Sequence, residues 1–392
     1  MLTTRSRQVS RRTVLNLLGG GAGFGVVSLL RSDTIPSAFQ TGGAGARPLS
    51  VAKGTIIRTV LKDLPPQDLG PGATLFHEHM GSDTIDPLQI EEINAAKRAG
   101  VSCLVNAKAG GRANVANLRT ISTQTGMHIV TCGGYYMQSA YPPEILKQSE
   151  DQIAEDLVQE ARRDGFGAFG EIGQTPNSAA LTPDERKVFR AVGKAHIRTN
   201  LPVFTHTAYG TGPNVPRESG LRQLDVLESV GVKPQRVVIG HACCLDDPKA
   251  DIIKQIAKRG AFIGFDRMAD FHPPTPNAPA YGMVRDTSDE LRVRMILEFL
   301  DAGYVEHLLL ADDGTAQAQE VSREITQMVK DQWLTPEEGA SIKATLFKKV
   351  AFGRTLTVFV PKLRAAGVTE DVLHTILHDN PLRFLAFEPK AG

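Results

Sequence analysis

The run TLFHEHMGSD, residues 74–83, carries two histidines two positions apart, His77 and His79. In an extended chain such residues project from one face, and two neutral imidazoles so placed can share a divalent metal ion. Later apolar runs end in Glu171 (GEIG), His206 (THT), His241 (GHA) and the pair Asp312–Asp313 (ADD). Each has a plainer reading: His206 and His241 as hydrogen-bonded core histidines, Glu171 as a rim carboxylate capped by backbone amides. Asp312 and Asp313 face opposite ways along a strand, so only one can point at a site. Together, four histidines and two carboxylates suit two divalent first-row ions, zinc before others. A water between two such ions loses a proton near neutral pH and becomes a nucleophile, while the more open ion polarises the carbonyl or phosphoryl oxygen under attack. Asp313 is the candidate to orient that water and take its proton. The remaining histidines, at 128, 196, 272, 307, 374 and 378, fall at strand starts, on helices or in loops, and read as structural or surface residues.

The donors need a scaffold that brings distant segments together. After residue 50, short apolar or β-branched runs recur at 73–79, 101–107, 128–136, 165–172, 202–208, 236–242, 261–267 and 307–313. Helical spacing fills intervals such as 88–99, 149–163, 183–199, 219–230, 248–259 and 288–303, two of them opened by the capping sequences TPDE and TSDE. Strand–helix alternation implies parallel pairing, and eight units imply a closed (β/α)8 TIM barrel of α/β class. All the candidate donors lie near the C-terminal ends of their runs, on the face where barrel enzymes build active sites. Residues 56–64 read as a small strand or hairpin ahead of the barrel.

Composition excludes several classes. A net charge of +1 with no long basic run gives no electrostatic case for nucleic acid. Hydrophobic and charged fractions of 41% and 22% are those of a globular chain. Residues 1–46 differ: Arg11 and Arg12 precede an uncharged, glycine-rich apolar stretch and then small residues. That order predicts a twin-arginine export signal and linker, with an uncleaved membrane anchor as the alternative. Residues 47–392 form one domain. The expected location is periplasmic or secreted, with the twin-arginine machinery as a transient partner and no stable membrane association after processing. Four cysteines in 392 residues make no disulfide framework, and without a C-x-x-C motif a thiol redox role is disfavoured.

These motifs carry a resemblance. TLFHEHMGSD, FGEIG, PVFTHTA, RVVIGHACCLDDP, GAFIGFDRM and HLLLADDG occur in the order seen in the phosphotriesterase-related branch of the amidohydrolase superfamily, over about residues 54–388. The resemblance implies a binuclear metal centre in a (β/α)8 barrel that hydrolyses esters. It assigns His77, His79 and Asp313 to the buried ion and His206 and His241 to the exposed one. It also selects Asp313 over Asp312. Many members bridge the ions with a carboxylated lysine; Glu171 stands at that position here, as in a glutamate-bridged subset. The charge is kept, but the shorter glutamate requires the ions to sit closer to the fourth strand or that strand to shift. Cys244 stands where efficient phosphotriesterases carry an acidic proton relay, and Cys243 and Cys244 otherwise read as packing residues. Tyr135 and Arg267 match pocket positions and are candidate substrate contacts; their plainer readings are rim packing and an ion pair with Asp266 or Asp270. Glu78 points away from His77 and His79 and reads as structural.

A helical insertion at about 315–350 is a surface hairpin, or else a lid or dimer contact. The resulting expectation is an exported hydrolase holding two Zn2+ per subunit, a homodimer by the family resemblance, whose metal-bound hydroxide attacks a small-molecule ester, lactone or phosphotriester. The alternatives are an amidase acting on N-acyl amino acids and a non-catalytic periplasmic metal- or ligand-binding barrel.

Overall fold

Eight strand positions arise where the apolar runs were expected, and each is short because a helix must follow within a few residues. The computed structural model describes residues 51–80, 85–107, 113–175, 180–207, 217–245, 247–267, 289–315, 326–327, 329–332, 334–340 and 352–390. The expected export signal at 1–46, Asp270, Thr287 of the TSDE cap and much of the 315–350 insertion lie outside them. Strands β1 (Ile57–Arg58) and β2 (Asp63–Leu64) form an antiparallel hairpin. The barrel strands are β3 (Ala73–His79), β4 (Val101–Asn106), β5 (His128–Gly133), β6 (Ala168–Gly173), β7 (Val203–His206), β8 (Val237–Gly240), β9 (Phe262–Phe265) and β10 (Leu308–Leu310). Each pairs in parallel with the next, and a short β11 (Gly314–Thr315) pairs back onto β3. β10 and β11 are the two halves of one eighth strand, the first leaning on β9 and the second closing the barrel on β3. Thr315, read as the start of the insertion, thus belongs to the strand.

Closure rests on a buried carboxylate of the outer face. Glu78 accepts hydrogen bonds from the backbone N–H groups of Asp312 and Gly314, each at 2.9 Å. Asp312 in turn accepts from the Gly353 and Arg354 N–H groups and from both the N–H and the hydroxyl of Thr355. Glu78 and Asp312 are therefore structural, and the turn between them rotates Asp313 inward. Asp313 takes a left-handed φ of 49°, which aspartate tolerates better than most residues.

Helices cover the barrel where caps and apolar stripes agree. Ser149 with Gln152, and Thr182 with Glu185, form capping boxes on Glu150–Asp164 and Pro183–Thr199, each worth about 1 kcal/mol. Val115–Thr125, absent from the sequence expectation, is built on a weak stripe, chiefly Leu118 and Ile121, but is capped by Asn114 and ended by left-handed Gly126. Within the insertion, residues 329–330 and 336–340 are helical. Among the described residues no helix is long and apolar enough to cross a membrane.

His196 is buried on Pro183–Thr199, and its Nδ1–H donates to the Leu201 carbonyl at 2.7 Å. Burial pulls its pKa from 6.5 down to about 4. As pH falls, the unfolded chain takes up this proton first, so its contribution to stability is intact above 6.5 and lost between 6.5 and about 4. The loss should reach about 3 kcal/mol, and His196→Gln should flatten that part of the pH dependence of the urea midpoint.

Candidate metal centre

All six donors foreseen in the sequence come together at the C-terminal ends of the strands. Glu171 lies at their middle. Its Oε2 is 3.2 Å from His77 Nε2, 3.0 Å from His206 Nδ1 and 3.4 Å from His241 Nε2, and its Oε1 is 3.4 Å from His79 Nε2. Asp313 Oδ1 stands 3.0 Å from His79 Nε2 and 3.7 Å from His77 Nε2. These separations resemble the edges, about 3.3 Å, of a tetrahedron of ligands around zinc at about 2.0–2.1 Å.

The fourth barrel strand has an irregular register beside the short side chain. Phe169 pairs with Val203 and Ile172 with Thr205, so three steps on β6 match two on β7. The extra residue is a bulge at Gly170–Glu171, a device that re-aims side chains. One pleat explains the two β3 histidines, of which His77 is fully buried. His79 and Asp313 keep 14% and 11% of their side chains exposed, against 2% and 1% for His206 and His241. His79 is the last residue of β3 and Asp313 follows the break in the eighth strand, so the open edge of the cluster lies at the pair assigned to the buried ion.

Asp266, just past β9, was not foreseen as part of the site. Its Oδ2 accepts from His77 Nδ1–H at 2.9 Å, and its Oδ1 from His241 Nδ1–H at 3.0 Å and the His241 backbone N–H at 2.9 Å. A carboxylate on each Nδ1 leaves both Nε2 lone pairs facing inward, the tautomer that metal binding requires. His77 Nε2 is buried, and its 3.2 Å contact with Glu171 lies outside hydrogen-bonding geometry. His241 itself is in the left-handed region at φ 55°. Before it, a Cβ on Gly240 would lie 2.2 Å from the Thr205 carbonyl and 3.0 Å from Asp266, so only glycine fits there.

The electrostatics call for cations. Burial opposes a charge on His77 and His241, yet Glu171 beside the first and Asp266 beside the second outweigh it. His77 is pushed up to about 10 and His241 is raised well above its ordinary range. At His206 burial wins and the pKa falls. Burial also works against ionised Glu171, Asp266 and Asp313, but the imidazoles hold all three below the usual carboxylate range. Divalent ions would supply the same positive charge in place of protons.

Of the substrate candidates, Tyr135 packs edge-on against Tyr141, ring centroids 6.3 Å apart. The neighbouring Tyr136 is the one at the cluster, with its hydroxyl 3.4 Å from both His206 ring nitrogens. Adjacent residues face opposite ways, and nothing in the doublet YY says which faces in. Arg267 is half-buried, and its backbone N–H donates to Cys243 Sγ at 3.3 Å. Asp266 is fully engaged by the two histidines instead. Cys243 and Cys244 are buried free thiols with sulfurs 3.7 Å apart. The hydrogen bond from Cys243, against the effect of burial, draws Cys244 down to about 6.

A parallel eight-stranded barrel with this donor set on its rim defines a metal-dependent hydrolase. The pattern of the phosphotriesterase family matches residues 56–385, and the chain belongs to that family. A crystal structure of an Escherichia coli phosphotriesterase homology protein, complexed with phosphate in its active site, aligns with a TM-score of 0.59 at 26% identity, covering 80% of this chain and 98% of that one. An aryldialkylphosphatase of Saccharolobus solfataricus is 25% identical over 80% of this chain and 95% of its own length. A mouse N-acetyltaurine hydrolase is 26% identical over 76% of this chain and 77% of its own.

Asp266→Asn keeps the shape but removes the charge that fixes two ligand tautomers. Metal affinity, measured by chelator competition, should fall about 10–100-fold; an unchanged affinity would mean that Asp266 does not orient these histidines.

Proposed function

We propose that the protein is a binuclear hydrolase in which Glu171 bridges two divalent ions, most simply zinc, and which cleaves a small ester, lactone or phosphotriester. The carrying observation is the position of Glu171, whose one carboxylate meets all four histidines. In this reading His77, His79 and Asp313 hold one ion and His206 and His241 the other. Bound ions would supply Lewis-acid polarisation of the scissile carbonyl or phosphoryl group and an activated water at neutral pH. Asp313, at the exposed edge, would orient the attacking water and accept its proton. Tyr136 would donate its hydroxyl to a polar group of the substrate, with Arg267 as a second contact for an anionic group. Asp266 carries no proton in the cycle; it holds the two imidazoles in register.

The similarity to an N-acetyltaurine hydrolase supports a second reading, cleavage of an N-acyl amino acid or related amide, since the same activated water can attack either carbonyl. Export to the periplasm and a homodimeric state belong to the proposal as well; the first rests on the Arg11–Arg12 start and the second on the family resemblance.

The test begins with metal content in purified protein never exposed to chelator. About two ions per chain, falling to one or none in Glu171→Ala, are expected. One ion or none in the wild type would reduce the site to a mononuclear or binding role. Turnover of lactones, aryl esters and paraoxon against N-acyl amino acids then separates the two readings, and silence on all with metal bound would favour a binding protein. On an active substrate, Tyr136→Phe should raise KM about fivefold with little change in kcat, whereas Tyr135→Phe should leave both unchanged.

A further inference from the structure

A second cluster lies in the C-terminal segment, among residues the sequence marks only as structural or surface histidines. His374 ends the helix Glu370–His374, and His378 and Asp379 lie in the π-helical turn Thr375–Asp379. In a regular α-helix, residues five apart stand about 140° apart around the axis. Here the Asn380 N–H bonds to the Thr375 carbonyl five residues back, and the widened turn brings Asp379 to the side of both histidines. The two rings stack with centroids 4.5 Å apart and planes 19° apart. Asp379 Oδ1 is 2.8 Å from His378 Nδ1 and 3.5 Å from His374 Nε2. One donor atom from each of the three lies within 4.8 Å of the others.

The hydrogen bonding selects what can sit there. His378 Nε2 faces the Gly70 carbonyl at 3.3 Å, a contact that becomes a hydrogen bond in the tautomer with the proton on this nitrogen. In that tautomer the Nδ1 lone pair faces the Asp379 carboxylate, and a cation bound to both atoms would take the place of the ring proton between them. A second ring proton would satisfy that pair but leave His374 unused. A metal ion would use all three groups. A backbone carbonyl on the far N–H is the usual support of a metal-bound imidazole. All three side chains are partly exposed, so an ion can enter, with water completing its shell.

We propose that His374, His378 and Asp379 form a further divalent-metal site, of the zinc class, at the opposite end of the barrel from the Glu171 cluster. Through His378 and Gly70 it ties the C-terminal helices to the loop that leads into β3, whose far end carries His77 and His79. The site is structural and does not depend on what the protein hydrolyses.

Zinc per chain, measured after equilibration in excess zinc, should be one equivalent lower in His374→Gln than in wild type. Saturating zinc should raise the wild-type Tm by about 2 °C more than that of the variant. Equal zinc content and equal zinc-induced shifts in correctly folded variant, judged by far-UV circular dichroism, would overturn the proposal. A measurement on the wild type alone avoids dependence on the variant: diethylpyrocarbonate labelling of His374 and His378, read by peptide mass spectrometry. Zinc should protect both histidines, and labelling unaffected by zinc would overturn the site.

Discussion

The metal centre depends on the Asp266 carboxylate before it depends on any of the ligands. That group is removed from solvent between β3, β8 and β9, and an isolated buried carboxylate would cost several kcal/mol. Three N–H donors, two of them imidazole, offset the cost. The exchange works in both directions: the histidines keep Asp266 ionised, and Asp266 fixes which nitrogen of each ring faces the cluster. The close approach of the strands there explains why the chain has glycine rather than a larger residue at 240.

Glu171 answers a different constraint. A short side chain has to reach the middle of four imidazoles, and the backbone delivers it through the extra residue in β6. Four histidines around three buried carboxylates form a group whose charge is balanced only when protons or metal ions are taken up. Metal loading and proton release are therefore coupled in this fold. The chemistry open to the site follows from that balance more directly than from any single residue.

The convergence of the six donors was legible because few residue types bind such ions, and a repeated position on successive strands is hard to produce by packing alone. The barrel was legible for a related reason, the alternation of apolar runs with capped helices. Asp266 was not, because a carboxylate that acts through other side chains has no spacing rule; in FDRM it read as a neighbour of Arg267. Tyr135 was named from the match to a family pocket position, and Tyr136 beside His206 had no such mark, since alternation beyond a strand end is not fixed. Val115–Thr125 escaped because its threonines and serines blur the apolar period, while its caps hold it in place. The grouping of His374, His378 and Asp379 needs a π-turn, which has no visible mark in the residues themselves.

The two-part eighth strand has a consequence for how the chain reaches its native state. Glu78 grips Asp312 and Gly314 across 234 and 236 residues of sequence, more than half the length of the chain. Such contacts form late, since a long loop must be closed before they return any energy. Until then β3 and β9 are open sheet edges, exposed to pairing with other chains. The step that seals those edges is the same step that swings Asp313 beside His79. Assembly of the sixth ligand thus reports completion of the barrel, and a chain cut short before residue 308 would be both unsealed and unable to complete its metal centre.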